Sequence, residues 1–308
     1  MRVLFWGTPE FAAAPLRALI GEGFEVVGVV TQPDKPQGRS REIIPSPVKE
    51  IAIEEEIPLF QPQNARDREL VARLGALEPD ISVVVAYGHI LPQKIIDLPT
   101  QGTLNIHASL LPLLRGAAPI QAAIQQGFTE TGVTIMRVVK ALDAGPIILQ
   151  ARSKIFGDET CGELQVRLSE LGALSLIETL ALISLGKAME TPQEDALATY
   201  AGKVTRESAR IDWSKSALEI SRLIRAYDPR PGAFTTTPKG DVKLFGPKVI
   251  DGMKGSPGEV LEVTGDLTIA CAADALRVSG VQPSGKSRMS AHDWVRGRGA
   301  AVGERFGA

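Results

Sequence analysis

The apolar runs in the first half of the chain are short and unbroken. Arg2–Trp6 (RVLFW), Glu25–Thr31 (EVVGVVT) and Asp80–Ala86 (DISVVVA) are apolar or β-branched at nearly every position. A strand with one wet face would alternate, so these strands are covered on both faces, as in a parallel sheet. Between them, a segment running to Ile20, then Pro47–Glu56 and Ala65–Ala76, follow the helical period. This β-α-β order predicts an α/β fold built on an open, mostly parallel sheet, whose ligands bind beyond the carboxyl ends of the strands.

Further along, the pattern predicts a strand at Gly102–Ile106, a helix at Ala117–Gln126 and strands at Val133–Val139 and Pro146–Lys154. Thr160 and Glu163 have capping-box spacing for a long helix, with Leu164, Leu168, Leu171 and Leu174 expected on one face and an end near Gly186. Periodicity is then lost through residues 187–209, around Pro192. Beyond it come an amphipathic helix, Ala217–Tyr227, and short strands at Ala233–Thr237, Val242–Phe245, Glu259–Val263, Leu267–Ala270 and Leu276–Val281. Short strands separated by Gly, Pro and Asp turns predict a small OB-type β-barrel. The expected organisation is a first domain over 1–189, a linker over 190–208 and a second domain over 209–308.

Charge adds one asymmetry to this picture. Residues 1–190 hold 17 Lys+Arg against 22 Asp+Glu, and residues 191–308 hold 17 against 14. The net −2 is therefore −5 followed by +3, which hints that the C-terminal part meets an anion. The opening MRVLFWGTPEF has one Arg and reaches Gly and Pro within nine residues. It lacks the ~7–15-residue apolar segment of a secretion signal, and cytoplasmic residence is expected. Cys161 and Cys271 stand far apart and no CxxC occurs, so the cysteines read as small buried core residues and no metal site is expected.

Gly7-Thr8-Pro9-Glu10-Phe11 follows the first strand without GxGxxG spacing, and no GxxxxGK[ST] loop exists. Pro9 removes a backbone donor and Glu10 would repel a pyrophosphate, so a dinucleotide or ATP site is disfavoured. The informative stretch is Gly102–Pro119, GTLNIHASLLPLLRGAAP. On a strand, Asn105 and His107 share a side, and both can donate to a developing oxyanion. A satisfied core histidine beside a turn-forming asparagine would leave the same letters. Asp143, in the turn Lys140-Ala-Leu-Asp-Ala-Gly145, could orient His107, favour its charged form and take a proton from an attacking amine. A simple turn aspartate is the alternative. With no GxSxG elbow and no histidine near either cysteine, direct amine attack with oxyanion stabilisation is the simplest chemistry.

The motifs VLFWGTPEFA, TQPDKPQGR, PSPVK, VVAYGHILP, LNIHASLLPLLRGAAPIQ, GVTIMRVVKALDAGPI and YAGKVTRESARIDW resemble the methionyl-tRNA formyltransferase family, within the 10-formyltetrahydrofolate-dependent formyltransferase superfamily, from the first residues almost to the last. The resemblance implies a Rossmann-like formyltransferase domain followed by an OB-like tRNA-binding domain. It implies Asn105, His107 and Asp143 as the catalytic trio, and 10-formyltetrahydrofolate as donor without a metal. Ser109, Leu110, Leu111 and Pro112 would line the folate cleft, with Tyr87, Gly88, His89, Ile90, Leu91 and Val139 alongside. His89 reads equally as loop packing or cleft wall. Initiator methionyl-tRNA is the implied partner, gripped through Lys35, Arg39 and Arg41 of the loop Gln32–Lys49, and nothing demands more than a monomer. The barrel's cations, among them Lys203, Arg206, Lys243, Lys248, Arg277, Lys286, Arg288, Arg296 and Arg298, would track the tRNA backbone. Glycinamide ribonucleotide or an amino sugar as acceptor, or formylfolate hydrolysis, would use the same trio. The chain departs from the family at Leu113-Leu114, where Arg-Trp is usual, and at Arg230-Pro231, where Trp-Pro is common.

Overall fold

A computed structural model describes residues 1–37 and 42–307. The chain folds into two compact units. The first comprises Met1–Pro119, Glu130–Lys154 and Gln165–Gly202; the second comprises Ile120–Thr129, Ile155–Leu164 and Lys203–Ala308.

The first unit is built on a seven-stranded sheet. Its strands are β1 (Arg2–Gly7), β2 (Glu25–Val30), β3 (Leu59–Phe60), β4 (Ile81–Val85), β5 (Thr103–His107), β6 (Glu130–Arg137) and β7 (Ile147–Lys154), in the order β7-β6-β5-β4-β1-β2-β3. The five strands from β5 to β3 run parallel, while β6 is antiparallel to β5 and β7 to β6. Val3, Leu4, Phe5 and Trp6 of the central strand are all buried, as an unbroken apolar run requires of a strand covered on both faces. One face carries Leu4, Trp6, Val30 and Val84, packed with Leu70 and Leu74 of the helix Arg68–Gly75. Asp67 caps that helix from Glu69 N–H, so it starts three residues later than the periodicity alone suggests.

The long helix Cys161–Ser184 begins with the predicted capping box: Thr160 Oγ1 accepts from Glu163 N–H while the Glu163 carboxylate accepts from Thr160 N–H. Its leucine face differs from the expected one. Leu164 and Leu168 are fully buried, but Leu174 is 70% exposed and the buried stripe continues through Leu176 and Leu180. Steps of four carry the stripe through Gly172, where an added Cβ would stand 3.0 Å from Ile106 Cγ2. Sheet and helix approach closely there, so a glycine, not a leucine, occupies the contact.

The second unit holds the β-rich region that the short strands predict. Strands β8 (Phe234–Thr237), β9 (Gly240–Ile250), β10 (Val260–Glu262), β11 (Leu267–Ala270), β12 (Ala275–Pro283) and β13 (Met289–Ser290) form one antiparallel sheet, ordered β8-β9-β12-β11-β10, with β13 paired to β12. The eleven-residue β9 is shared: Gly240–Lys243 pairs with β8 and Val242–Ile250 with β12. Helix Ala217–Tyr227 starts at a Ser216–Glu219 capping box and buries Ile220, Ile224 and Tyr227. Cys161 and Cys271 are buried free thiols, each pushed up to about 12 by that burial. Among the described residues no helix is long and apolar enough to cross a membrane.

Candidate active site

Strand β5 positions two of the candidate residues by register alone. Asn105 lies opposite Val84 of β4 and Met136 of β6, and His107 lies opposite Thr134. Paired residues share a face, and so do residues two apart on a strand. Asn105 and His107 therefore stand on the side of the sheet that carries Trp6 and Val84. The Asn105 side chain is half-buried, and its amide has no hydrogen-bond partner among the described residues. His107 is only 5% exposed. Its Nε2 lies 2.9 Å from the Leu114 carbonyl oxygen. A carbonyl can only accept, so Nε2 carries the hydrogen. The Leu114 carbonyl is aimed by a left-handed backbone (φ 58) and by a hydrogen bond from Leu114 N–H to Thr199 Oγ1 (2.9 Å). The ring is thereby fixed with Nδ1 3.6 Å from Asp143 Oδ2.

The structure thus brings Asp143 to His107 across 36 residues of sequence. Asp143 adopts φ 49, a left-handed conformation that aspartate tolerates better than most residues. The same Oδ2 that faces His107 accepts the Gly116 N–H at 2.8 Å, and the side chain is 13% exposed. Gly116 is required on two counts: its φ is 113, and an added Cβ would stand 2.5 Å from the Ala201 carbonyl oxygen. Gly145 is equally tight, since a Cβ there would meet the Arg137 carbonyl oxygen at 1.8 Å. Sequence reasoning named neither the Leu114 carbonyl nor the Gly116 N–H. Only the glycine left a signal, in the stretch Arg115-Gly-Ala-Ala-Pro119.

Residues 190–208, expected as a linker, begin by running along the first unit. Thr191 bridges to Ile147, Thr199 bonds Leu114, and Tyr200–Ala201 pairs in parallel with Arg115–Gly116.

The residues expected around a folate divide by exposure. Gly88, His89, Ile90 and Val139 are exposed, Ile90 at 77%. Tyr87 and Leu91 are core residues, with Tyr87 edge-on to Trp6 (5.2 Å between centroids) and to His89 (5.9 Å). Ser109 and Leu111 are buried, while Leu110 and Pro112 are half-buried. The Ser109 hydroxyl donates to the Leu113 carbonyl (2.6 Å) and the Ser109 carbonyl accepts from Thr134 Oγ1 (2.7 Å). Gln150 Nε2 donates to the Leu111 carbonyl (2.8 Å). This segment is thereby moored to β6 and β7.

The loop beginning at Gln32 is clasped at its base. The Asp34 carboxylate accepts from Lys49 Nζ and from Gln61 Nε2 (3.0 Å), and Gln32 Nε2 donates to the Tyr87 carbonyl (3.0 Å). The Lys49 ammonium and the Gln61 amide hold the Asp34 carboxyl below the usual carboxylate range. Lys35 is exposed; Arg39 and Arg41 lie outside the described residues. In the second unit several expected cations have partners of their own. Arg206 pairs with Asp241 (2.6 Å), Arg277 with Glu262 (3.1 Å) and Arg288 with Asp228 (3.0 Å), and Arg288 also stands 4.0 Å from the Phe245 ring centroid.

Comparison with known proteins places this geometry. Residues 1–180 match the formyl transferase family and residues 203–299 the formyl transferase C-terminal domain. Methionyl-tRNA formyltransferase of Methylococcus capsulatus is 47% identical over 308 residues, covering 100% of both chains. That of Pseudomonas putida (strain GB-1) is 46% identical over 299 residues, covering 97% of this chain and 96% of its own. In fold, the chain is similar to HypX from Aquifex aeolicus in complex with tetrahydrofolic acid (TM-score 0.68, 20% identity), covering 99% of this chain and 48% of HypX. It also resembles an N-formyltransferase from Helicobacter canadensis in complex with folinic acid and dTDP-3-aminofucose (TM-score 0.67, 17% identity), covering 90% and 97%. These last two likenesses speak for the fold alone. Family matches over both units and full-length relatives near half identity settle the lineage: the chain belongs to the formyl transferase family, among the methionyl-tRNA formyltransferases.

Proposed function

We propose that this chain moves the formyl group of 10-formyltetrahydrofolate to the α-amine of methionine carried on initiator tRNA, giving N-formylmethionyl-tRNA. The observation that carries the reading is the half-buried Asn105 amide, without a partner among the described residues, beside a His107 ring fixed between the Leu114 carbonyl and Asp143. The amine nitrogen attacks the formyl carbon and the formyl oxygen becomes an oxyanion. Asn105 donates to that oxygen, and the His107 ring stands beside it with Nε2–H engaged by the Leu114 carbonyl and Nδ1 facing Asp143. The bond from carbon to N10 then breaks, the amine loses one proton and N10 gains one, so protons balance. Asp143 orients His107 and is placed to accept the amine's proton, directly or through water.

The first unit works on the folate, with Ser109–Pro112, Tyr87–Leu91 and Val139 around it, and the second unit meets the tRNA through its phosphates. Lys35, Arg39 and Arg41 hold the acceptor end. The full-length likeness to methionyl-tRNA formyltransferases, at 46% and 47% identity, favours a tRNA over a small amine as acceptor.

The test is formylation by the purified chain with 10-formyltetrahydrofolate, using charged initiator tRNA, free methionine and a 3-amino sugar nucleotide as separate acceptors. Only the charged tRNA should be formylated efficiently. Transfer to the sugar, or release of formate without an acceptor, at the same rate would overturn the assignment.

A further inference from the structure

Gln193 is half-buried, whereas Glu190–Pro192 and Glu194–Leu197 around it are exposed. Its amide turns inward and is used completely. Nε2 donates to the Asp143 and Gly145 carbonyl oxygens, both at 2.8 Å. Oε1 accepts two hydrogen bonds from one guanidinium, Arg115 Nε (3.0 Å) and Nη2 (2.8 Å). Arg115 is 3% exposed, and its Nη2 also donates to the exposed carboxylate of Asp195 (2.8 Å). Arg115 and Gly116 therefore hold Asp143 twice. The Gly116 N–H binds its carboxylate, and the Arg115 guanidinium reaches its main-chain carbonyl through Gln193.

We infer that Gln193 is a positioning residue of the formyl-transfer site, holding the backbone on both sides of residue 144 so that the Asp143 carboxylate stays against His107. The inference rests on the proposed role of Asp143. Between Val138 and Pro146 the loop supplies one internal backbone hydrogen bond among the described residues, a long one from Ala144 N–H to the Ala141 carbonyl (3.4 Å). A loop with so few bonds of its own can shift as a whole, and such a shift would carry the carboxylate away from the ring. Gln193 opposes it by fixing the carbonyls of residues 143 and 145. Its own orientation is fixed in turn, because charge-assisted bonds from a buried guanidinium polarise the amide and forbid its reversal.

The experiment is a double-mutant cycle on the full chain, with kcat and KM measured for both substrates. Gln193→Leu keeps the bulk and removes the hydrogen bonds. Displacing a reacting group by about 1 Å costs on the order of 100-fold elsewhere, so kcat should fall about 10- to 100-fold, while both KM values move less than about threefold. In an Asp143→Asn background the same substitution should cost less than about threefold, because the carboxylate it positions is gone. An equal loss in both backgrounds, an unchanged kcat, or a loss carried by KM would overturn the inference. Gln193→Glu is the second variant. It keeps the acceptor for Arg115 but turns an oxygen toward two carbonyls, so it should be as slow as Gln193→Leu; wild-type turnover in it would also overturn the inference. If Asp143→Asn alone leaves kcat unchanged, the reading of Asp143 fails first, and the two failures are thus told apart.

Discussion

Asn105 and His107 sit on a strand hydrogen-bonded on both sides, to β4 and β6. Asp143 sits in a loop that makes almost no hydrogen bonds of its own and is gripped by Gly116 and Gln193, 27 and 50 residues away in sequence. The two halves of the proposed site are thus held by different means. The strand half inherits its geometry from the sheet, so its side chains are placed wherever the sheet folds. The loop half depends on a few polar contacts from distant segments, each of which can be removed without unfolding the core. Precision in the second half is therefore a local property, and it is the half in which substitutions should separate activity from stability.

Replacing the chemistry itself should have the largest effect on either half. Asp143→Asn is expected to lower kcat about 10²–10⁴-fold, the range of general acid–base help, with tRNA affinity retained in a binding titration. Asn105→Ala should lower it about 10²–10³-fold, as loss of one oxyanion donor does elsewhere, again with tRNA affinity retained. A parallel loss of tRNA affinity in either variant would show that the residue holds substrate and leave the comparison without its catalytic footing.

The supports should then separate. Ile106→Ala, in the strand half and 3% exposed, should cost about 2–5 kcal/mol of global stability in denaturant unfolding. Gly145→Ala should instead lower turnover strongly, because its Cβ cannot fit against the Arg137 carbonyl, and should shift the global midpoint less than Ile106→Ala does. If Gly145→Ala unfolds the first unit as readily, the loop is part of the core and the distinction collapses.

The smallest effect concerns a support outside the trio. Asp34 has a lowered carboxyl pKa because it accepts from Lys49 and Gln61. A depressed carboxyl contributes stability above its unfolded value, ~3.9, and that contribution is lost as pH falls through the still lower folded value. The stability difference between wild type and Asp34→Asn should therefore be constant near neutrality and shrink below about pH 4. A difference that does not change with pH would mean that Asp34 matters by shape alone.

Much of this protein was legible before any coordinates. Unbroken runs such as RVLFW and DISVVVA announced buried parallel strands because burial on both faces leaves no room for alternation. Asn105 and His107 could be placed side by side because the period of a strand is two, and the Thr160–Glu163 box fixed a helix start because its partners are three residues apart. The leucine stripe of that helix departs from the helical pattern at Leu174, which is exposed. Which of several apolar rows touches the sheet depends on how another element packs against it, here Ile106 against Gly172.

The site divides in the same way. Residue identity and short-range period determined that an amide and an imidazole would share one face of a strand. Only the tertiary structure decided that Asp143 Oδ2 would stand 3.6 Å from His107 Nδ1, that Leu114 would offer its carbonyl to the ring, and that Gln193, in a stretch without periodicity, would hold the loop. Those contacts join groups 7 to 50 residues apart through backbone atoms, which every residue carries, and through side chains whose letters are common on any surface. A backbone carbonyl or N–H has no signature in the sequence, and its direction is set by φ and ψ angles that the whole fold imposes.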